Sequence, residues 1–117
     1  MDTRAKVVNT AQAAVLTGPL VIVSGPFDVL TAAAVLRLRA IARENPGHRL
    51  VIAISTPDRP VLESRARAEL VAALGVVDYV FISEGQLPPA ARIVREETIQ
   101  DVERAALIEH VHRRQNG

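Results

Sequence analysis

The sequence predicts an α/β domain, a Rossmann-like three-layer α/β/α sandwich on a small, mostly parallel sheet. Three observations carry that prediction. Short β-branched runs alternate along the chain with longer Ala/Leu/Arg segments of helical period. The runs are apolar at successive positions, as in strands buried on both faces. The segments between the first three runs are long enough for crossover helices, which parallel neighbours require. At 117 residues the chain fits a single domain spanning 1–117.

The head, residues 1–17, is expected to hold a short helix around 10–16, started by Asn9 or Thr10. Leu20-Val21-Ile22-Val23-Ser24, bounded by Gly18-Pro19 and Gly25-Pro26, reads as the first strand. Asp28 then precedes a helical segment at about 29–44, and its carboxylate suits the N-cap. Leu30, Ala34, Leu38, Ile41 and Ala42 form the apolar stripe of this helix. Arg37, Arg39, Arg43 and Glu44 fall on its solvent side, and Asn45-Pro46-Gly47 stops it. Leu50 to Ser55 is a second strand. A helix at about 60–74 follows, with Leu70, Val71 and Leu74 on one side and Gly75 as C-cap. Val76 to Ile82 is a third strand. Residues 83–91 are a loop with Gly85 and Pro88-Pro89, and Arg92-Ile93-Val94 is a short fourth strand. The last helix, 98–114, starts at Thr98 with Asp101 as a capping-box-like partner. Ile99, Val102, Ala105, Ala106 and Ile108 give it a packing side. His112, Arg113 and Arg114 suit the negative end of its dipole.

Composition narrows the function classes. With 14 Lys+Arg against 13 Asp+Glu the net charge is +1, so no bulk attraction to nucleic acid or acidic membrane is expected. An aromatic fraction of 3% leaves little surface for stacking bases. The absence of cysteine excludes a disulfide scaffold, an iron–sulfur cluster and a cysteine nucleophile, and it fits a cytoplasmic protein. The charged N-terminus has no apolar core behind it, and the longest bulky apolar run, Leu20 to Val23, is far too short for a span. His110 and His112, two residues apart, diverge by about 200° on a helix and make no zinc pair. His48 sits in a turn, and Asp58, Glu63 and Glu84 are single surface carboxylates. No metal site or Ser-His-Asp grouping is readable.

In an open parallel sheet, ligands bind beyond the carboxyl ends of the strands. Ser24-Gly25-Pro26-Phe27-Asp28, Ser55-Thr56-Pro57-Asp58, Ser83-Glu84-Gly85 and the turn before Thr98 write that edge. Gly25-Pro26-Phe27-Asp28-Val29-Leu30 resembles the Gly-x-Phe-Asp segment of the cytidylyltransferase-like nucleotidyltransferases, most closely the heptose-phosphate adenylyltransferases and glycerol-3-phosphate cytidylyltransferases. His48 to Ser55 is similar to that family's second strand. Arg59-Pro60, Arg67, Leu70 and Ala73-Leu74 follow its Arg-Pro…Arg…Leu…Ala-Leu pattern. Val77-Asp78-Tyr79-Val80 matches the next strand, and Lys6-Val7-Val8 also fits. The resemblance covers most of residues 6–83 and, loosely, 92–111.

The departures shape the expectation. The family's His-x-Gly-His signature, whose imidazoles stabilise charge on the transferring phosphate, is here Thr31-Ala32-Ala33-Ala34. The Ser/Thr-rich turn before the last helix is Glu96-Glu97-Thr98-Ile99-Gln100-Asp101, whose carboxylates repel a polyphosphate. The segments after the second and third strands are short where the family builds its pockets. The resemblance with these losses implies a degenerate, catalytically inactive nucleotidyltransferase-like domain, kept as a residual nucleotide- or anion-binding module or an interaction module. It implies no catalytic residue and no cofactor. The candidate ligand-binding residues are Gly25, Phe27, Asp28, Thr31, Arg67 and Thr98. Each also has a plain structural reading: turn, core, N-cap or helix cap, and for Arg67 membership of a solvated set with Arg59, Arg65 and Glu69. One alternative is an active enzyme using CTP or ATP and a sugar- or polyol-phosphate, with Thr31, Arg67, Thr98 and Mg²⁺ in place of the histidines. Another is a purely structural or dimerisation domain, since a small sheet leaves edges that a homodimer would cover.

Overall fold

A computed structural model describes residues 3–116. Met1, Asp2 and Gly117, which the single-domain reading includes, lie outside the described residues. The elements run α1 (Thr3–Lys6), α2 (Thr10–Ala14), β1 (Leu20–Gly25), α3 (Ala32–Glu44), β2 (Arg49–Ile54), α4 (Ser64–Ala72), β3 (Tyr79–Ile82), β4 (Arg92–Arg95) and α5 (Glu97–Asn116). The four strands form one parallel sheet in the order β3-β2-β1-β4. This is the expected Rossmann-like α/β arrangement, with the order reversing between β1 and β4.

Period-two alternation sorts the sheet residues onto two faces. Val21, Val23, Leu50, Ile52, Ile54 and Val80 point to one face, where Leu38 and Ile41 of α3 and Ala68, Val71 and Ala72 of α4 cover them. Leu20, Ile22, Val51, Ala53 and Phe81 point to the other, covered by Ala13 of α2 and by Leu87 and Ala90 of the 83–91 loop. The second helical layer is therefore thin. Its form follows from distance. β3 and β4 lie on opposite edges, about 14 Å apart at three strand spacings, and the chain must also retrace about 13 Å of strand. Nine residues reach that far only when extended, since a helix of that length spans about 14 Å. The head closes the β3 edge: Val7 bridges Val80, and the Val8 amide donates to the Val80 carbonyl at 2.8 Å. Lys6 Nζ donates to the Leu74 carbonyl at 3.1 Å. Asn9, one of the two expected starts of α2, caps it and forms a capping box with Gln12.

Several local expectations are corrected. Asp28 does not cap the first long helix. Thr31 does, accepting from the Ala34 amide at 3.1 Å, and the helix begins at Ala32. The second long helix is shorter than 60–74, because residues 55–63 are drawn into a loop clamped by Asp28. It ends at Ala72 with Ala73 as C-cap, and Gly75 is not left-handed. Leu70 is exposed while Val71 and Leu74 pack. Helical residues 97 and 98 put the start of α5 before Thr98, with Glu96 in the N-cap position. The anticipated packing side of α5 is exposed: Ile99, Val102 and Ile108 keep 45, 65 and 40% of their surface. Among the described residues no helix is long and apolar enough to cross a membrane.

Candidate functional site

The strand-end edge is a crevice of two adjoining cavities. One, of about 410 Å³, is lined by the hydroxyls of Ser24, Ser55, Thr56 and Ser83 with Glu84, Arg95 and Glu97. The other, of about 650 Å³, adds Asp58, Arg59, Asp101 and Arg104. Ser55, Thr56 and Glu97 belong to both. The Glu97 carboxylate stands in the first turn of α5, where the free amides and the helix dipole favour an anion. It accepts from Ser24 Oγ at 2.9 Å and from Ser55 Oγ at 3.4 Å. A phosphate at this helix end would look for the same groups. In the first cavity Glu84 and Glu97 outnumber Arg95. In the second Asp58, Glu97 and Asp101 outnumber Arg59 and Arg104. The field at the crevice is thus net negative.

Neither cavity is lined by any of the six residues chosen from sequence. Five of them lie behind the crevice or beside it, engaged with the protein itself. Gly25 ends β1, and a Cβ there would stand 2.8 Å from the Gln100 side-chain amide. The close neighbour that requires glycine is a buried glutamine. Gln100 Oε1 accepts from the Phe27 amide at 2.7 Å, and its Nε2 donates to Glu96 Oε1 at 2.8 Å. Those two bonds hold Phe27 at φ +47°, a conformation costing about 1–3 kcal/mol. The Phe27 ring is core, as its plain reading has it.

Asp28 is buried and works as a loop clamp. Its carboxylate accepts from the Val61 amide at 2.6 Å and the Leu62 amide at 2.8 Å, and lies 3.5 Å from Arg104 Nε. Arg104 also donates to the Arg59 carbonyl. Arg67, 1% exposed, is no member of a solvated set. Arg65 and Glu69 form that exposed pair by themselves. The Arg67 guanidinium donates to three carbonyls: Leu62 at 3.1 Å, Pro26 at 2.9 Å and Ser55 at 2.8 Å. Burial pulls its pKa down, opposed by the nearby Asp28 charge. Arg67 thus ties together the loops after β1 and β2 and the start of α4. Thr31 spends its hydroxyl oxygen on the α3 cap, Ala34 is buried, and Thr98 is exposed on α5.

Sequence reasoning missed a second arginine. Arg37, assigned to solvent, grips two carboxylates across from α3: Nε to Glu96 Oε2 at 2.9 Å and Nη2 to Glu103 Oε1 at 2.7 Å. Hydrogen bonds to Glu103 and then Glu96 hold its pKa above the usual guanidinium value, and the same bonds hold the Glu103 carboxyl below the usual carboxylate value. The spacing of Glu96, Gln100 and Glu103, one helical face, was the available signal. Among the described residues no three His, Asp or Glu side chains gather as metal ligands would.

No protein-family model matches the chain. The chain is 37% identical over 78 residues, 59% of its length, to the Bifunctional protein HldE of Gluconobacter oxydans (strain 621H). The matched region is 16% of that protein, so the similarity concerns one part of a much longer chain.

Proposed function

We propose that this chain is a nucleotidyltransferase-like domain that no longer transfers nucleotides, its phosphate position taken by its own Glu97. The family placement rests on the resemblance of residues 6–83 and on the partial similarity to HldE. The observation that carries the loss of activity is the Glu97 carboxylate bonded to the Ser24 and Ser55 hydroxyls at the head of α5. An anion there would have to displace a bonded carboxylate and enter a net negative crevice. The groups the active alternative relies on are engaged elsewhere: Arg67 on three carbonyls, Thr31 on a helix cap. Losing the donors that meet developing phosphate charge costs about 2.7–4 kcal/mol apiece, at least a hundredfold in rate.

The direct test mixes the protein with ATP or CTP, Mg²⁺ and a panel of sugar- and polyol-phosphates and measures pyrophosphate. None is expected, and sustained release would defeat the proposal. Calorimetry with ATP and CTP should give no saturable heat. The Glu97→Ser variant supplies the opposite arm. It removes the resident anion and leaves two hydroxyls at a helix N-terminus, so inorganic phosphate should bind this variant and not the parent. A second reading, residual binding of a small polar ligand, draws on the hydroxyl-lined cavity of about 410 Å³ beside Arg95. A thermal-shift screen with phosphate and neutral sugars checks it through a rise with the parent protein that Arg95→Ala abolishes.

A further inference from the structure

Helix α5 packs on the domain through polar side chains alone. Among its described residues, Glu97, Gln100, Glu103 and Arg104 are the ones that are buried or half-buried, and they recur at helical spacing. Every apolar residue of the helix is exposed, and none joins either apolar cluster. Helices in folded proteins owe most of their stability to an apolar face packed on the body. Here the face turned to the body is the polar one. Glu97 accepts from Ser24 and Ser55, Gln100 from the Phe27 amide and Glu103 from Arg37, while Arg104 reaches Asp28 and the Arg59 carbonyl. Water can take over such bonds at small net cost, because each group exchanges one polar partner for another.

Glu96 marks where the helix can turn. It is neither strand nor helix, and it belongs to the body. Its amide donates to the Ser24 carbonyl at 2.7 Å, continuing the β4 ladder, and its carboxylate is gripped by Arg37. The chain from Glu97 onward can leave while β4 stays in place. The body groups it leaves keep partners of their own. Arg37 keeps Glu96, and Asp28 keeps the Val61 and Leu62 amides. Phe27 adds a bias. The Gln100 bond fixes it at φ +47°, so release of Gln100 relieves backbone strain. We infer that α5 is a charge-held latch that opens about Glu96 as one unit, ahead of the core, and uncovers the Ser24 and Ser55 hydroxyls and the Phe27 amide to the crevice. The latch governs access to the crevice whether or not nucleotides are transferred there.

Native-state hydrogen exchange on the whole protein, followed amide by amide by NMR at low urea concentrations, tests the latch. The Phe27 amide is the reporter, because it sits on the body and its acceptor sits on α5. Once undocked, the helix is marginal in water, so its own amides exchange as well. The expected result is one shared opening for Phe27 and for α5 from Asp101 to Arg104. It should be faster than the opening of Val23 and Ile52 and nearly independent of urea. Glu103→Gln should raise the shared opening about fivefold through loss of the Arg37 pair. Val102→Thr, at an outward site 65% exposed, should leave it unchanged. Exchange of Phe27 and α5 at the rate and urea dependence of Val23 and Ile52 would overturn the latch. So would fraying that grades inward from Arg114 and leaves Phe27 protected with the core. A Glu103→Gln variant that opens no more than the parent, or a Val102→Thr effect as large as that of Glu103→Gln, overturns it too.

Discussion

Replacing Arg67 by Met separates a structural arginine from a ligand-binding one. Arg67 is 1% exposed, and its guanidinium reaches three backbone carbonyls in two loops. Met fills much of the same volume and offers no donor. Hydrogen bonds from charged donors contribute about 1.5–3 kcal/mol each, and a buried acceptor left without a partner costs about 1–3 kcal/mol. Relief of guanidinium desolvation works in the other direction. The Leu62 and Ser55 carbonyls are partly buried and recover bonds from water, which leaves the buried Pro26 carbonyl unpaired and Asp28 with Arg104 as its remaining cation. The expected loss is about 3–5 kcal/mol, the usual cost of removing one member of a buried charged group. A domain of this size unfolds at about 5–15 kcal/mol, with a urea dependence of about 1–3 kcal/mol per molar. The midpoint should therefore fall by about 2 M. Arg67→Lys keeps the charge and one bond, so it should recover part of the loss. Urea unfolding followed by circular dichroism gives the answer. A midpoint within 0.3 M of the parent (about 0.6 kcal/mol) would refute the structural assignment and return Arg67 to the crevice as a free cation.

Three further outcomes follow from the same packing. Gly25→Ala should destabilise by about 1–3 kcal/mol, because its Cβ would push Gln100 off the Phe27 amide and Glu96; in a Gln100→Ala background the same change should cost much less, read by a double-mutant cycle. Thr31→Ala should cost about 1 kcal/mol through loss of the α3 cap, and it should leave any ligand response of the crevice unchanged in a thermal-shift titration. Glu103→Gln should lower stability by about 1 kcal/mol at neutral pH. Its carboxyl titrates below the usual value when folded, so the stabilisation is present above the unfolded pKa and disappears as pH falls through the folded one. Parent and variant should therefore converge in acid, and a gap that widens as pH falls would contradict the Arg37 pairing.

Much of the fold was legible in the sequence because it rests on local pattern. The double-faced apolar runs at 20–24 and 50–55, the stop at Asn45-Pro46-Gly47 and the helix start at Asn9 or Thr10 each depend on residues a few positions apart, and each stands in the structure. The strand-end residues Ser24, Ser55 and Ser83 were also placed at the crevice correctly, since topology alone sets that edge. The side chains beside them were not separable by pattern. Asp28 followed by a helical segment reads as an N-cap, and only the return of the 55–63 loop gives its carboxylate two better amides. Arg67 reads equally as solvated or as an anion contact. Its burial is decided by carbonyls contributed by Pro26 and Ser55, the nearer of them 12 residues away.

Residue pattern alone specified a mostly parallel α/β core and the loss of the paired histidines, because hydrophobic period and residue identity are local properties; that all four strands are parallel came from the folded chain. Tertiary structure decided what the remaining polar residues do. Buried charges and amides settle on whichever partners the folded chain brings within about 3 Å. Here those partners are the protein's own carbonyls, amides and hydroxyls, from Arg67 on three carbonyls of two loops to Glu97 between two serines.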